Sequence, residues 1–428
     1  NMKTARLMLL LLLALAVSAQ AGAQDEDTAT DTLLVGETPA DELQVQVKGF
    51  LDTYHAARTE GKGDWMASRT RARGELMLEK GAARLFVSMN AVYNALLKEQ
   101  TGITLREAYL SYANAHVDLR AGRQIIIWGV ADALRLTDKI SPMDYTEFLA
   151  QDYDDIRTPV NAFRLRLVRQ AFNVELVCIP VSDFFTLPTD ERNPWAAHID
   201  APMPYTFDLD SRKPKTRLRN VEFGGRLSVN LSGIDFSFCG LHTWNKMPAF
   251  SYAVDPSGTS LTVVGHYRRL TMLGGDVSLP VGRFVIRGEL AANLNEVQNA
   301  EFGSEVQGRN VFNALLGVDW YAGNDWMLSA QYAHKHVGGS IAGLSVLRNT
   351  GVATVRVSKE LFRNTLALSS FAYIDVSHGG VFNRLSCKYD LNDQISLTAG
   401  YDYFHADAGM FAMYSRNSEV WVKLKYGF

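Results

Sequence analysis

The sequence predicts an all-β protein, a transmembrane antiparallel β-barrel of about eighteen strands, or sixteen if two weak strands merge, with short periplasmic turns and long extracellular loops. Three observations predict it. Apolar and polar residues alternate with period two through run after run of the chain. The connections between these runs alternate short and long without a break. The closing stretch, residues 418–428, is apolar to its last residue on one face, with Val420, Val422, Leu424, Tyr426 and Phe428 opposing Glu419, Trp421, Lys423 and Lys425. About 9–11 residues is what a tilted strand needs to cross a bilayer, so this stretch has the length and the pattern of a membrane-wall strand.

Composition agrees with that class and excludes others. The 428 residues are 47% hydrophobic and 21% charged, values shared by soluble proteins and by outer-membrane barrels, in which half of each strand faces water. A helical membrane protein is excluded, because nothing after the first apolar run is long enough to span a bilayer as a helix. A formal net charge of -3 gives no reason to expect a nucleic-acid partner. Cys178, Cys239 and Cys387 are far apart and outside any CxxC or Cys/His cluster, so they form neither a zinc site nor a disulfide framework.

At the start, Lys3 and Arg6 precede the apolar run 7–17, and Ala21-Gly22-Ala23 supplies small residues for cleavage before Gln24. Residues 1–23 therefore read as a signal peptide. Residues 24–42, rich in Asp, Glu and Thr, read as a disordered acidic periplasmic leader, and 43–428 as the barrel.

Along the barrel the expected short turns are Lys80-Gly81, Asn114-Ala115, Gln170-Ala171, Ser232-Gly233, Val281-Gly282, Gly323-Asn324, Arg363-Asn364 and Asn392-Asp393. Gly, Asn and Asp tolerate the positive φ that such turns require. The longer connections fall near 59–64, 96–103, 129–159, 182–219, 245–260, 296–309, 337–349, 376–380 and 406–417. In the 182–219 connection Pro188, Pro194, Pro202, Pro204 and Pro214 argue against regular structure. Within 283–295, Phe284, Ile286, Leu290 and Leu294 oppose Arg287, Glu289 and Asn293. Within 220–231, Phe223, Leu227 and Val229 oppose Glu222, Arg226 and Ser228. Trp320, Tyr321, Trp326, Tyr389, Tyr401, Tyr403 and Phe404 lie near strand ends, where they fit either an interfacial girdle or interior packing.

Alternation assigns a set of basic residues to the water-facing side: Arg69, Arg71 and Arg73 on one strand, opposing Met66, Ala72, Leu76 and Leu78 toward lipid, Arg164 and Arg166 on a later one, and Arg120, Arg226, Arg287, Arg356, Arg384 and Lys388 elsewhere. An arginine on the lipid face at mid-membrane costs roughly 2–4 kcal/mol, which forces most of these inward. There they are candidate pore-lining residues. Glu75, Asp118, Glu222, Glu289 and Asp319 share their face, so a salt-bridged lumen and an anion-attracting ladder both remain open. Arg123 falls on the lipid parity unless Gly122 marks a bulge that turns it inward.

The most distinctive internal segment is Gly122-Arg123-Gln124-Ile125-Ile126-Ile127-Trp128-Gly129, followed by Ser141-Pro142-Met143-Asp144. A strand ending G-R-Q-x-x-x-W-G before an S-P-x-D loop resembles a group of uncharacterised porin-like outer-membrane barrels of Gram-negative bacteria. The terminal Phe428 is similar to the C-terminal aromatic of such barrels, which implies the outer-membrane assembly machinery as a partner. The resemblance implies export to the outer membrane, outer-membrane lipid and lipopolysaccharide as surroundings, and passive diffusion of small hydrophilic solutes, and it supplies no site. In general porins the third long loop narrows the barrel and trimers are common. By that analogy 129–159 is the candidate constriction loop and a homotrimer the expected assembly, although no subunit interface is identifiable. The loop is acidic through Asp132, Asp138, Asp144, Glu147, Asp152, Asp154 and Asp155.

Enzymatic signatures are absent: there is no Walker loop, H-E-x-x-H, G-x-S-x-G or dinucleotide fingerprint, so no catalytic residue, metal or cofactor is assigned. His334 and His336 share a strand face without a third ligand and read as polar lumen residues. The expected function is an outer-membrane channel for small hydrophilic solutes with an anion bias. The alternatives are a lipase-like or protease-like barrel enzyme, and a structural or adhesion barrel with a plugged lumen.

Overall fold

The computed structural model describes residues 42–151, 153–199 and 201–428. The expected signal peptide and all but the last residue of the acidic leader lie outside the described residues. From there the chain runs through β1 (Gln44–Arg58), β2 (Trp65–Lys80), β3 (Ala83–Asn94), β4 (Gly102–Ala113), β5 (Val117–Gln124), β6 (Val160–Val168), β7 (Phe172–Val181), β8 (Tyr205–Asp208), β9 (Glu222–Leu231), β10 (Ile234–Trp244), β11 (Ala249–Val254), β12 (Leu261–His266) and β13 (Arg269–Val281). It continues with β14 (Phe284–Gln298), β15 (Gln307–Gly323), β16 (Trp326–Val337), β17 (Asn349–Leu361), β18 (Leu366–Asp375), β19 (Gly380–Asp390), β20 (Ile395–His405) and β21 (Glu419–Gly427).

Eighteen of these strands form one antiparallel sheet that closes on itself, because β1 pairs with both β2 and β21. Asp52 accordingly has Arg71 across from it on one side and Lys425 on the other. Closure leaves no edge strand with unpaired amides, the condition for a sheet that lies in hydrocarbon. Every one of the expected short turns lies at one rim, between β2 and β3, β4 and β5, and so on around to β19 and β20. The backbone shows why these residues occupy them: Gly81, Gly233, Gly282, Gly323, Asn324 and Asn364 all have positive φ.

Apolar residues on the outer face stay exposed: Phe238, Leu290 and Leu316 at 63–64%, with Val420, Val422 and Leu424 on β21. The enclosed face is packed, and its apolar parts form two clusters with inserted loops. In one, Ile126, Trp128, Leu134, Leu136 and Ile140 pack on Val160, Val177, Leu241, Met272 and Leu315. In the other, Phe148, Ala150, Trp195, Phe411 and Tyr414 pack on Tyr54, Phe382, Phe404 and Trp421.

Several expectations are corrected. The strand containing Gly122 ends at Gln124, so the connection begins at 125 rather than 129, and Ile126 and Trp128 turn into the interior. The prolines do not abolish structure before β9: β8 pairs in parallel with β12, and β11 and β12 form a hairpin, giving a three-stranded sheet in the long-loop region. The wall strand expected to follow residue 260 therefore starts only at Arg269. Met66 is buried, because β2 bulges there: Ala56 faces Ala67 while Ala57 faces Trp65, leaving Met66 as the extra residue. Phe404 is 1% exposed and belongs to the interior, whereas Trp320, Trp326, Tyr389 and Tyr403 stand on the exposed outer face, and Tyr321, of the opposite parity to Trp320, is exposed at the short-turn rim. His334 and His336 also take the outer parity. They sit near the long-loop rim, where His336 lies opposite the exposed Phe312 and its Nδ1 is 2.7 Å from the Asn349 side-chain oxygen.

Candidate functional site in the barrel lumen

Period two places Arg69, Arg71 and Arg73 on the enclosed face of β2, across from Tyr54, Asp52 and Phe50 of β1. Arg71 holds Asp52 at 2.6 Å and Asp155 of the inserted loop at 2.8 Å, and Arg73 holds the other oxygen of Asp155 at 2.7 Å. Arg106 approaches the same carboxylate at 3.7 Å. It does so because β4 bulges at this residue: Ser88 faces Glu107 and Met89 faces Leu105, so Arg106 is the extra residue. Burial by itself pushes the Asp155 carboxyl up, but Arg71, Arg73 and Arg106 outweigh it and hold the group well below the usual carboxylate range. Arg69 pairs with Glu147 of the loop, and Arg73 donates to the Asn90 side chain at 2.8 Å.

The loop 125–159 reaches the opposite wall as well. Glu289 of β14 accepts hydrogen bonds from the backbone amides of Val130 at 3.1 Å, Ala131 at 3.2 Å and Thr137 at 2.7 Å, and from the Thr137 hydroxyl at 2.7 Å. Gln331 accepts from the Asp132 amide at 3.1 Å, and Arg356 pairs with the Asp132 carboxylate at 2.9 Å. Arg287 pairs with Asp319 and donates to the Val130 carbonyl at 3.1 Å. Arg384 pairs with Asp402 at 2.6 Å and donates to the Ala150 carbonyl at 2.6 Å. Both walls thus hold one loop through its backbone and its acids.

The G-R-Q-x-x-x-W-G and S-P-x-D residues carry out this docking. Gln124 donates to the Ala162 carbonyl at 3.1 Å, and Trp128 Nε1 donates to Glu175 at 2.7 Å. Ser141 Oγ accepts from the Ile126 amide at 3.0 Å. Asp144 accepts from the Thr146 amide at 2.9 Å, and burial pushes its carboxyl up. Gly122 has φ of +136°, and a Cβ there would run into the Ala108 carbonyl. Arg123 nonetheless keeps the outer parity, opposite Ala108 and Asn161, and reaches Asp183 at 4.0 Å.

The other sequence-assigned residues are brought together more locally. Arg120 is 3.4 Å from Asp118. Arg164 and Arg166 share Glu175 at 2.9 and 3.5 Å, Arg226 meets Asp276 at 2.9 Å, and Lys388 meets Asp390 at 3.3 Å. Asp138 is paired inside the loop, with Arg135 at 3.1 Å and Arg157 at 3.0 Å. Asp152 and the side chain of Asp154 lie outside the described residues.

Between the loop and the wall of β1, β2, β17–β19 and β21 remains a cavity of about 500 Å³. Arg71, Arg73, Arg356, Arg384, Lys423 and Lys425 line it, against the carboxylates of Asp52 and Asp155. Aromatic faces lie between the cations: the Phe50 ring has Arg71 and Arg73 at 5.0 Å and Lys425 at 4.7 Å, and Phe371 has Arg356 at 5.1 Å. Arg106 and the Phe50 ring were not singled out from the sequence. A signal for Arg106 exists, since two consecutive charged residues, Arg106 and Glu107, inside an alternating strand require a bulge if neither is to face lipid. Among the described residues no three His, Cys, Asp or Glu side chains are grouped to hold a metal.

A closed, edge-free barrel of eighteen antiparallel strands with a loop folded into a charged lumen defines a porin-like β-barrel fold, and this chain shares that fold with solved bacterial barrels. More particularly, the chain belongs to the family described as "Protein of unknown function (DUF1302)", which matches residues 4–415. Pseudomonas aeruginosa OccK8 (OprE) is similar in fold, with a TM-score of 0.53 at 8% identity over 90% of this chain and 98% of that one. P. aeruginosa OccK11 (OpdR) gives 0.51 at 9% identity over 90% and 96%. The outer membrane channel DcaP of Acinetobacter baumannii gives 0.45 at 10% identity over 92% and 100%. No curated protein sequence matches the chain.

Proposed function

We propose that the protein is an outer-membrane channel for passive diffusion of small hydrophilic solutes with a bias toward anions, and that residues 125–159 are its constriction loop. The observation that carries this reading is the cavity between loop and wall, where six cationic side chains face two carboxylates. Confined between low-dielectric walls, such an excess of one sign raises the local concentration of oppositely charged solutes. A salt-bridged lining is compatible with this bias: Asp52 and Asp155 hold Arg71 and Arg73, Asp132 holds Arg356 and Asp402 holds Arg384, and six cations against these four carboxylates still leave an excess of positive charge.

The test is reversal potential in a planar bilayer under a potassium chloride gradient. Wild-type protein is expected to favour chloride, and Arg356→Gln/Lys423→Gln/Lys425→Gln to lose that preference with conductance retained. Equal or cation-favouring permeability in the wild type would remove the anion bias. A second reading, a structural barrel with a plugged lumen, is favoured by the two apolar clusters that fill the space on either side of the cavity. Absence of any conductance from protein shown to be folded would decide for it.

A further inference from the structure

The lumen leaves one charged feature of the chain without a role, the run Arg212-Lys213-Pro214-Lys215-Thr216-Arg217-Leu218-Arg219 in the connection before β9. Arg212, Lys215, Arg217 and Arg219 are exposed and line a second hollow, of about 460 Å³, with Trp244 and Tyr267. Among the described residues no carboxylate lines it. Of the nearby acids, Asp210 pairs with Lys213 at 2.7 Å, and Asp208 accepts from the Ser211 amide at 3.0 Å and lies within electrostatic reach of Arg212.

The floor of this hollow is built rather than incidental. Trp244 and Arg269 face each other across β10 and β13, with the guanidinium 4.4 Å from the indole centre. Arg269 Nη2 donates to the carbonyls of Arg219 at 2.7 Å and Val221 at 3.1 Å, Trp244 Nε1 donates to the Asn220 carbonyl at 3.2 Å, and Asn220 Nδ2 donates to the Lys215 carbonyl at 2.7 Å. Arg212 donates to His266 Nδ1 at 3.2 Å. These bonds fix the backbone that carries the cations. Arg269 Nη1 is buried with no hydrogen-bond partner.

Position names the ligand class. Trp244 and Arg269 take the outer parity of the wall at the long-loop rim, one step beyond the apolar surface formed by Phe223 at 58% exposure, Phe238 at 63% and Leu273 at 52%. Leu218, 93% exposed, projects between Arg217 and Arg219. Cations gathered in excess of acids repel one another, and multivalent anions relieve that repulsion; arginine in particular suits phosphate oxygens through paired N–H groups. A ligand with phosphates at the level of the rim and hydrocarbon directly beneath it satisfies both halves of this surface.

We propose that the 212–219 hollow docks the phosphorylated sugar headgroup of lipopolysaccharide in the outer leaflet, with its acyl chains along Phe223, Phe238 and Leu273. This rests on the wall being embedded in lipid with its long-loop rim outward, and not on what crosses the lumen.

The experiment titrates fluorescent lipopolysaccharide onto the full chain folded in detergent, alongside dephosphorylated lipopolysaccharide and inorganic phosphate. The wild type is expected to bind intact lipopolysaccharide best, and Arg212→Gln/Lys215→Gln/Arg217→Gln/Arg219→Gln to weaken it roughly tenfold or more, the scale expected for several charge-assisted contacts. The single variant Arg217→Gln should weaken it less, and both variants should match the wild type in β-sheet circular dichroism and in the heat-modifiable electrophoretic mobility of a folded barrel, showing that the fold is kept. Equal binding by wild type and quadruple variant, or equal binding of intact and dephosphorylated lipid, overturns the proposal. Competition by inorganic phosphate at the concentration of the lipid would instead mark a site for the free ion, and overturns it too.

Discussion

Gly129 and Glu289 fit together as a socket and its occupant: the glycine has φ of +92°, and a Cβ there would stand 2.9 Å from both carboxylate oxygens of Glu289. The missing side chain lets the loop backbone close over the carboxylate and present the amides of Val130, Ala131 and Thr137 to it. Gly129→Ala is therefore expected to strain the backbone by about 1–3 kcal/mol and to displace the carboxylate as well. The result should be a loop that undocks, read as faster proteolysis within 125–159 and a larger single-channel conductance. Glu289→Ala should do the same by leaving the buried Thr137 amide unpaired, at roughly 1–3 kcal/mol, and the half-buried amides of Val130 and Ala131 without their acceptor.

Asp155 sets the acid limit of the docked state. Its folded carboxyl lies below the unfolded value of about 4, so its stabilisation is complete above that value and is lost as pH falls through the depressed folded one. Loop docking should consequently be flat from neutral pH down to about 4 and fail only under stronger acid. Asp155→Asn should abolish the contribution at neutral pH, at about 3 kcal/mol, because Arg71, Arg73 and Arg106 are left facing one another. Conductance measured against pH for the two proteins checks both statements.

Leu316 tests what surrounds the barrel. It lies 64% exposed in the middle of β15, so Leu316→Arg should cost roughly 2–4 kcal/mol of folding stability in lipid vesicles. A cost near zero would mean that this face meets water.

Phe362, Arg363 and Asn364 all carry positive φ, at 54°, 58° and 68°, in the turn between β17 and β18. Residues other than glycine pay about 1–2 kcal/mol for that conformation, and glycine gives back part of the gain through a more flexible unfolded chain. Arg363→Gly should thus raise the urea midpoint of unfolding by the equivalent of about 0.5–1 kcal/mol.

The strand count, the turns and the facing of β21 could be read from the sequence because they depend on nearest neighbours along the chain: alternation sets the face, and residues tolerant of positive φ set the turns. Where one extra residue enters a strand, parity fails, without local warning at Met66 and with one at Arg106, where the charged Glu107 follows directly. His334 and His336 show the complementary error, since polar residues near a rim leave the bilayer and can take the outer face at little cost.

The sequence by itself determined an antiparallel wall and, away from bulges and rims, which side chains fall on each of its faces, since period two and the short turns are properties of consecutive residues. Only the tertiary structure decided which of the inner charges meet. Asp155 lies between Arg71 and Arg73, and Glu289 beneath Gly129, because a loop folded across the lumen joins strands far apart in the chain. Such contacts follow from closure of the barrel and packing of the loop, and no periodicity along the chain encodes them.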